Sequence, residues 1–195
     1  MSNLNNKNSL FPVFLKLESL RLLLVGAGPV AAEKLTAVLA NAPETQIKIV
    51  AKDVSEPIAN MIAGRVNIQL FKKEFHQDDL NEIDLIISAV ANRETSTVIR
   101  EHAHQRNLLV NVADTPDLCD FYLGSIVQKG NLKLAISTNG QSPTAAKRIK
   151  EMLNAALPKE IDEMIENLHT IRTQLKGDFQ NKVSRMNEIT KGLIE

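Results

Sequence analysis

A glycine-rich turn is the segment whose residue types and spacing most clearly indicate chemistry. Its residues, in chain order, are Gly26, Ala27, Gly28, Pro29, Val30 and Ala31. They follow the apolar run 22–25, which predicts a buried strand, a tight turn and a helix whose first N–H groups can bind phosphate. Gly26 would permit the turn, Gly28 would let the backbone approach the anion, and Ala31 would let the helix pack closely. We predict a dinucleotide-binding site, with an ordinary strand-to-helix turn as the alternative.

The residues expected near the ribose of such a dinucleotide are Lys52 and Asp53. They follow the next predicted strand, roughly 20 residues past the turn, where an acidic side chain accepts from ribose hydroxyls. Asp53 favours NAD, whereas Lys52 could pair with a 2′-phosphate and favour NADP. We expect NAD, because no arginine lies in residues 51–56.

Asp114 is the candidate reactive carboxylate. It directly follows the predicted strand at residues 108–112, so it should lie at the carboxyl edge of the sheet, on the cofactor side. A carboxylate there can act as a general acid or base. Because aspartate before Thr115 and Pro116 is also a common turn former, the local sequence leaves a structural role open.

The other metal-ligating and nucleophilic residue types indicate no resident metal. His76, His102, His104 and His169 show no ligand spacing, and Cys119 is the single cysteine. One cysteine excludes a disulfide or a thiolate cluster within the chain. We expect Cys119 to be a small, buried, unreactive residue.

A basic cluster follows the predicted helix start at Ser142 and Pro143. Serine favours the N-cap position and proline the first helical turn. Lys147, Arg148 and Lys150 lie in this helix. The helix start and these cations would suit a substrate with several carboxylates, although a solvated basic face is also common.

Strand and helix signals alternate through the first half of the chain. Predicted strands are 22–25, 47–50, 66–70, 85–90 and 108–112; predicted helices are 31–39, 57–63 and 95–105. The segment 85–90 lacks polar alternation, which is typical of a strand buried on both faces. Strands separated by helices imply right-handed crossovers. The sequence therefore predicts an α/β fold with a Rossmann-type parallel sheet.

The second half has a different pattern. Residues 121–128 and 132–137 flank a turn at 129–131, which predicts a β-hairpin. Apolar residues recur at helical spacing over 161–175 and 179–193. The exposed hairpin edges could be covered by a second copy of the chain. A substrate should bind between the sheet edge and the hairpin or helices, or between two subunits.

Composition excludes several classes of protein. The chain has 195 residues, is 44% hydrophobic and has zero formal net charge, so no basic excess indicates nucleic acid or a membrane surface as partner. No apolar run reaches the roughly 18 residues that a membrane span needs. We expect a cytoplasmic protein with no nucleic-acid and no membrane partner.

Several blocks in order along the chain resemble the precorrin-2 dehydrogenase family, which includes the amino-terminal part of siroheme synthase. They are residues 10–15, 26–31 with Lys34, 111–114, 125–127 and 135–143. The resemblance implies NAD-dependent oxidation of precorrin-2 to sirohydrochlorin, and in some members insertion of Fe2+, as a substrate, to give siroheme. It also implies a homodimer with a Rossmann domain at 1–113, a dimerisation region at 114–144 and a helical domain at 145–195.

The resemblance also assigns roles to individual residues. The family's essential aspartate falls on Asp114. Together, the residue patterns and the resemblance predict cofactor contacts at Gly26, Gly28, Pro29, Val30, Lys52, Asp53, Ala89, Val90 and Asn111, and substrate contacts at Thr138, Asn139, Gly140, Ser142 and Lys147. The chain departs from the family at residues 89–92, where Ala-Thr-Asp or Ala-Thr-Asn is usual, and at Thr138, which aligns with a regulatory phosphoserine.

A non-catalytic NAD-sensing module is the alternative function. Its glycine turn and sheet would look the same. Asp114 and the block 137–143 favour the enzyme, because a sensor requires neither.

Overall fold

The computed structural model describes residues 8–193 and divides the chain into two compact units. The first unit ends at Leu123 and the second begins at Gly124. The first contains a parallel sheet with helices, and the second an antiparallel hairpin followed by helices. The three regions expected from the sequence, with boundaries at residues 113 and 144, stay a prediction.

A five-stranded parallel sheet forms the centre of the first unit, in the order β3-β2-β1-β4-β5. The strands are β1 (Arg21–Val25), β2 (Gln46–Ala51), β3 (Ile68–Lys72), β4 (Leu85–Ser88) and β5 (Leu109–Val112). The direction of strand addition reverses between β1 and β4, and α/β sheets bind ligands outside the carboxyl ends of strands at such a point. The predicted Rossmann-type fold is confirmed.

Helices pack on both faces of this sheet, which explains why its strands are continuous apolar runs. The helices are α1 (Pro29–Asn41), α2 (Glu56–Ile62) and α3 (Arg93–His104). Leu22 and Leu24 of β1 lie in one core with Leu35 of α1. Leu23 lies in the opposite core with Ile99 of α3. Each strand residue is therefore buried on one side or the other.

The second unit has a hairpin and three helices. The elements are β6 (Ser125–Lys129), β7 (Leu132–Ile136), α4 (Pro143–Ala156), α5 (Ile161–Gln174) and α6 (Phe179–Thr190). Asp162 at the start of α5 accepts from the backbone N–H of Asn131 in the hairpin turn, at 2.6 Å, and from its side-chain amide at 3.0 Å. No helix among residues 8–193 is long and apolar enough to cross a membrane.

The boundaries of three predicted strands were wrong by two or more residues. β3 begins at Ile68, although the Asn67 carbonyl still accepts from the Ile47 N–H of β2 at 2.9 Å; the Asn67 side chain donates to two carbonyls of the α1–β2 connection. β4 ends at Ser88, opposite Val25, where its neighbour β1 also ends. β6 begins at Ser125 because Phe121 belongs to the first unit, where it packs against the sheet core.

The outer edge of β5 is closed by the residues that follow it. The Asp120 N–H donates to the Val110 carbonyl at 2.8 Å, and the Asp120 carboxylate accepts from the Val110 N–H at 2.9 Å. The Cys119 thiol donates to the Val112 carbonyl at 3.0 Å, and its sulfur accepts from the Val112 N–H at 3.3 Å. Burial raises the pKa of this thiol, so it remains a donor. Cys119 and Asp120 thus satisfy the edge in place of a sixth strand.

A buried carboxylate fixes the connection between β3 and β4. The Asp79 side chain is 3% exposed and lies 2.9 Å from Lys48 Nζ and 2.8 Å from Lys73 Nζ. It also accepts from the backbone N–H of His76 at 3.0 Å. Burial acts to raise the pKa of Asp79, but the bonds from Lys73, Lys48 and His76 together outweigh it, so the pKa lies below its ordinary value.

Asp79→Asn should lower the free energy of unfolding at pH 7 by about 1.5–3 kcal/mol, the scale of hydrogen bonds to charged groups. Because the folded-state pKa is depressed, the carboxylate stabilises the fold above the unfolded-state pKa of about 3.9 and loses this effect as pH falls further. Urea unfolding should therefore show the two proteins converging below about pH 4. Asp78→Asn is the control, because the Asp78 side chain is 68% exposed. A gap that stays constant down to pH 2.5 would contradict this account.

Candidate active site

Gly26 lies where β1 meets the carboxyl ends of its two neighbours. Its φ of +101° falls in the left-handed region, and a Cβ there would lie 2.5 Å from the Ala89 carbonyl oxygen. Its N–H donates to the Val50 carbonyl at 2.9 Å. Both the backbone conformation and the close approach therefore require glycine.

Gly28 is the N-cap residue of α1, and it borders open space. No side chain caps this helix start, and a Cβ on Gly28 would meet nothing within 4 Å. Pro29 occupies the first helical turn, and Ala31 is fully buried. Uncapped N–H groups facing free space at a helix start can bind an anion. The glycine turn thus fits a dinucleotide pyrophosphate.

The segment after β2 is tied to the glycine turn. The Ser55 N–H donates to the Ala27 carbonyl at 3.0 Å, and Ser55 Oγ is buried without a hydrogen-bond partner in the described part of the chain. The Asp53 carboxylate has no hydrogen bond or close ion pair among residues 8–193, although its charge contributes to the raised pKa of the neighbouring Lys52. An accepting carboxylate and an unsatisfied hydroxyl next to the turn fit a polar ligand such as a ribose.

Lys52 is engaged by a residue that the sequence did not indicate. Its Nζ lies 2.5 Å from Glu74 Oε1, beyond the end of β3. This hydrogen bond raises the pKa of Lys52 and lowers that of Glu74. Nothing in the sequence could locate Glu74, because its approach to Lys52 depends on β2 and β3 being neighbours. Ser55 could have been noticed as a serine before Glu56 and Pro57, a helix-start signal.

Asp114 lies at the same carboxyl edge, in the turn after β5. The Ala113 N–H donates to the Ser88 carbonyl at 2.9 Å, which attaches this turn to the end of β4. Asp114 is exposed and has a φ of +57°, a left-handed conformation that aspartate tolerates better than most residues. Its carboxylate has no partner among the described residues. Asp114 is therefore both a residue of the turn and a carboxylate available to a ligand.

Side chains beside this turn form hydrogen bonds and ion pairs within the protein. Arg93, the first residue of α3, pairs with Asp117 just beyond Asp114. The Asn111 amide, 6% exposed, donates to the Phe121 carbonyl at 2.8 Å and to Cys119 Sγ at 3.6 Å. The Asn111 side chain thus holds the chain beyond β5, and its expected contact with a cofactor stays a prediction.

The loop after β4 also faces the glycine turn. Ala89 donates its N–H to the Val25 carbonyl at 2.8 Å, and Val90 Cγ1 would lie 3.5 Å from a Cβ on Gly26. Both residues therefore border the glycine turn. Asn92 caps α3 by accepting from the Thr95 N–H at 2.9 Å.

In the second unit, the residues expected to contact substrate form the turn that opens α4. Thr138 Oγ1 donates to the Ser142 carbonyl at 3.1 Å and accepts from the Ser142 N–H at 3.2 Å. Ser142 Oγ caps α4 through the Ala145 N–H, while Asn139 and Gly140 have positive φ angles. Lys147 is exposed and has no partner among the described residues, so it is an available cation.

Within residues 8–193, no group of three or more His, Cys, Asp or Glu side chains could hold a metal ion. His104 instead pairs with Asp120, with Nε2 2.8 Å from Oδ2. His76 accepts from the Asp78 N–H at 3.3 Å through Nδ1.

Comparison with known families assigns both units. A family model described as putative NAD(P)-binding matches residues 13–125. A second model, described as sirohaem biosynthesis protein central, matches residues 129–156. The two matches follow each other in the order of the two structural units.

Named relatives extend this finding. A siroheme synthase of Vesicomyosocius okutanii is 32% identical over 94% of this chain and 39% of its own length. Siroheme synthase 1 of Pectobacterium atrosepticum is 35% identical over 89% of this chain and 36% of its own length. The chain thus spans well under half of these relatives. The solved structure of SirC, a precorrin-2 dehydrogenase, superposes with a TM-score of 0.74 and 25% identity, covering 92% of this chain and 89% of SirC.

Gly28→Asp should abolish NAD binding while the protein stays folded. Aspartate is a good N-cap residue, so the helix keeps its start, but its carboxylate would occupy the open space expected for the pyrophosphate. Calorimetry with NAD and urea unfolding of the same preparation measure the two effects. Gly28→Ser adds an uncharged cap and should weaken NAD binding less than aspartate does. Undiminished NAD affinity in Gly28→Asp would refute the assignment of the turn.

Proposed function

Because the chain belongs to the precorrin-2 dehydrogenase family, which includes the amino-terminal part of siroheme synthase, we propose that it oxidises precorrin-2 to sirohydrochlorin in siroheme biosynthesis with NAD as hydride acceptor. One observation carries the proposal. The open glycine turn at Gly28 and the unpartnered carboxylate of Asp114 lie at the same edge of one parallel sheet. That edge can hold a dinucleotide and a proton acceptor together.

The nicotinamide cofactor would be held by the residues around the glycine turn. The N–H groups at the start of α1 would bind its pyrophosphate, and Asp53 would accept from its ribose hydroxyls. NAD is favoured over NADP because Asp53 is open while Lys52 is already paired with Glu74. When bound, the nicotinamide ring supplies the site that accepts a hydride.

Asp114 would assist the loss of a proton from precorrin-2. The oxidation removes a hydride and a proton, so a proton acceptor near the macrocycle lowers the barrier. The Asp114 carboxylate could take this proton directly or through a water molecule, or it could hold the nitrogens of the macrocycle. Its exposure and lack of an ion-pair partner support each of these roles.

The carboxylates of the substrate would be bound by the turn that opens α4. We assign this role to Lys147 and to the segment from Thr138 to Ser142. The exposed ammonium of Lys147 can pair with a carboxylate. Because Thr138 Oγ1 and Ser142 Oγ are engaged within the turn, the contribution of the segment would come mainly from its backbone and from Asn139.

The protein would act as a homodimer through the hairpin region. The antiparallel sheet has two strands, β6 and β7, and a two-stranded ribbon is marginal alone. Pairing of the hairpin with a second copy would cover its open edges. We therefore propose residues 121–137 as the main dimer contact.

Insertion of Fe2+ into sirohydrochlorin is a second candidate activity. It is favoured by the name siroheme synthase that the matched relatives carry. Iron would be a substrate here, with Asp114 assisting the removal of pyrrole protons. Anaerobic incubation of the protein with sirohydrochlorin and Fe2+, without NAD, tests this activity separately from the dehydrogenation.

Absorbance spectra of the protein mixed anaerobically with precorrin-2 and NAD test the main proposal. We expect the spectrum of sirohydrochlorin to develop together with NADH. Gly28→Asp serves as the cofactor-binding control and should show neither change. A protein that binds NAD but leaves precorrin-2 unchanged would support the NAD-sensing module instead.

Asp114→Ala should lower the rate of precorrin-2 oxidation by about 10²–10⁴-fold, the usual effect of removing a general acid or base. NAD affinity should be retained, because Asp114 follows β5, and β4 lies between β5 and β1, the strand that leads into the glycine turn. Asp114→Asn is the matched variant: asparagine also tolerates a positive φ, so it keeps the turn and removes the charge. A parental rate in Asp114→Asn would leave Asp114 as a turn residue only.

A further inference from the structure

We propose that Glu74 determines the cofactor preference of the site by neutralising Lys52. This inference rests on the proposed function and deepens it, because it names the residue that keeps an available cation from favouring NADP. Lys52 and Asp53 directly follow β2, and Glu74 lies just beyond β3. The two strand ends are joined: Ala51 pairs with Lys72, and the Lys73 N–H donates to the Ala51 carbonyl at 3.0 Å.

The contact between Lys52 and Glu74 is close but exposed. Nζ and Oε1 are 2.5 Å apart, while 66% of the Lys52 side chain and 74% of the Glu74 side chain are exposed. Exposed ion pairs contribute little to stability, since solvent screens them. Removing the Glu74 carboxylate should therefore leave the fold intact. A change in dinucleotide affinity can then be attributed to the lost charge and not to unfolding.

The ends of β2 and β3, with Lys52, Asp53 and Glu74, form one corner of the sheet. Removing the Glu74 carboxylate changes the net charge of this corner by one unit. Lys52, Asp53 and Glu74 carry one ammonium and two carboxylates, so these three side chains sum to one negative charge near the expected ribose, while Lys72 at the end of β3 adds one positive charge. NADP differs from NAD by a 2′-phosphate, which the carboxylates of Asp53 and Glu74 repel. Without Glu74, the Lys52 ammonium would be free to pair with that phosphate.

Two other lysines near the end of β3 must be considered. Lys73 is committed, because its Nζ lies 2.8 Å from the buried carboxylate of Asp79. Lys72 is the last residue of β3 and has no partner among the described residues. It is the alternative cation for a 2′-phosphate, so the experiment must separate Lys72 from Lys52.

Calorimetric titration of the full chain with NAD and with NADP, in the absence of substrate, tests the inference. The parent should bind NAD more tightly than NADP. Glu74→Gln should tighten NADP binding about tenfold, the scale of one added charge-assisted contact, and change NAD binding less than about twofold. The gain should shrink at high salt, since the corner is exposed. An unchanged preference in Glu74→Gln would overturn the inference.

A double-mutant cycle assigns the effect to Lys52. Glu74→Gln in a Lys52→Gln background should give no gain in NADP affinity. A gain that persists there would point to Lys72 or to net charge alone and would overturn the assignment. Glu101→Gln on α3 makes the same change of charge elsewhere and should leave both affinities unchanged; an equal gain there would also overturn it.

These outcomes can be told apart from failure of the proposed function, because no step requires precorrin-2. A protein that binds NAD, and whose NADP affinity depends on Glu74 as expected, but that does not oxidise precorrin-2 refutes only the proposed activity. A parent chain that binds neither dinucleotide refutes both.

Discussion

The close approach of Gly26 to the Ala89 carbonyl is the contact on which the arrangement of the candidate site depends. A side chain at residue 26 would collide with that oxygen, so only glycine allows β1 to end so near the chain that leaves β4. Gly26 also binds the end of β2 through Val50. The chain can then start α1 directly above the point where the strand order reverses. The close approach of these strand ends thus depends on the absence of a side chain at residue 26.

Parallel pairing gives the edge of the sheet its chemical character. Residues far apart in the chain meet there because every strand ends on the same side. Two cations at this edge are paired with carboxylates, in Lys52–Glu74 and Arg93–Asp117, whereas Lys72 has no partner among the described residues. Asp53 and Asp114 keep carboxylates without a hydrogen bond or close ion pair within the described structure. The edge therefore offers backbone N–H groups to an anion and carboxylates to hydroxyl groups or protons.

Most of the first unit could be predicted from the sequence because its strands are buried on both faces and so appear as uninterrupted apolar runs. Strand boundaries were harder to predict, as at Asn67, whose carbonyl bonds to β2 while its side chain contacts the α1–β2 connection. The glycine turn could be predicted because the spacing of its residues specifies a local conformation. The contact of Glu74 with Lys52 could not be predicted, because it depends on which strands are neighbours in the sheet. The Asn111 amide is a similar case, since its partner Phe121 is brought back to β5 by the fold.

Because Cys119 and Asp120 hydrogen-bond to the outer edge of β5, the two edge strands of the sheet should differ in how easily they open locally. The outward N–H groups of Val110 and Val112 are hydrogen-bonded although no strand lies beyond them, so their exchange with solvent requires the following segment to detach. β3, at the opposite end, has a strand neighbour on one side and no comparable pairing described for its outer side. Fluctuations should therefore fray the sheet from β3, while the end that carries Asp114 stays ordered. A rigid support on that side keeps the turn that carries Asp114 in one place, while the β3 end of the sheet can adjust its position.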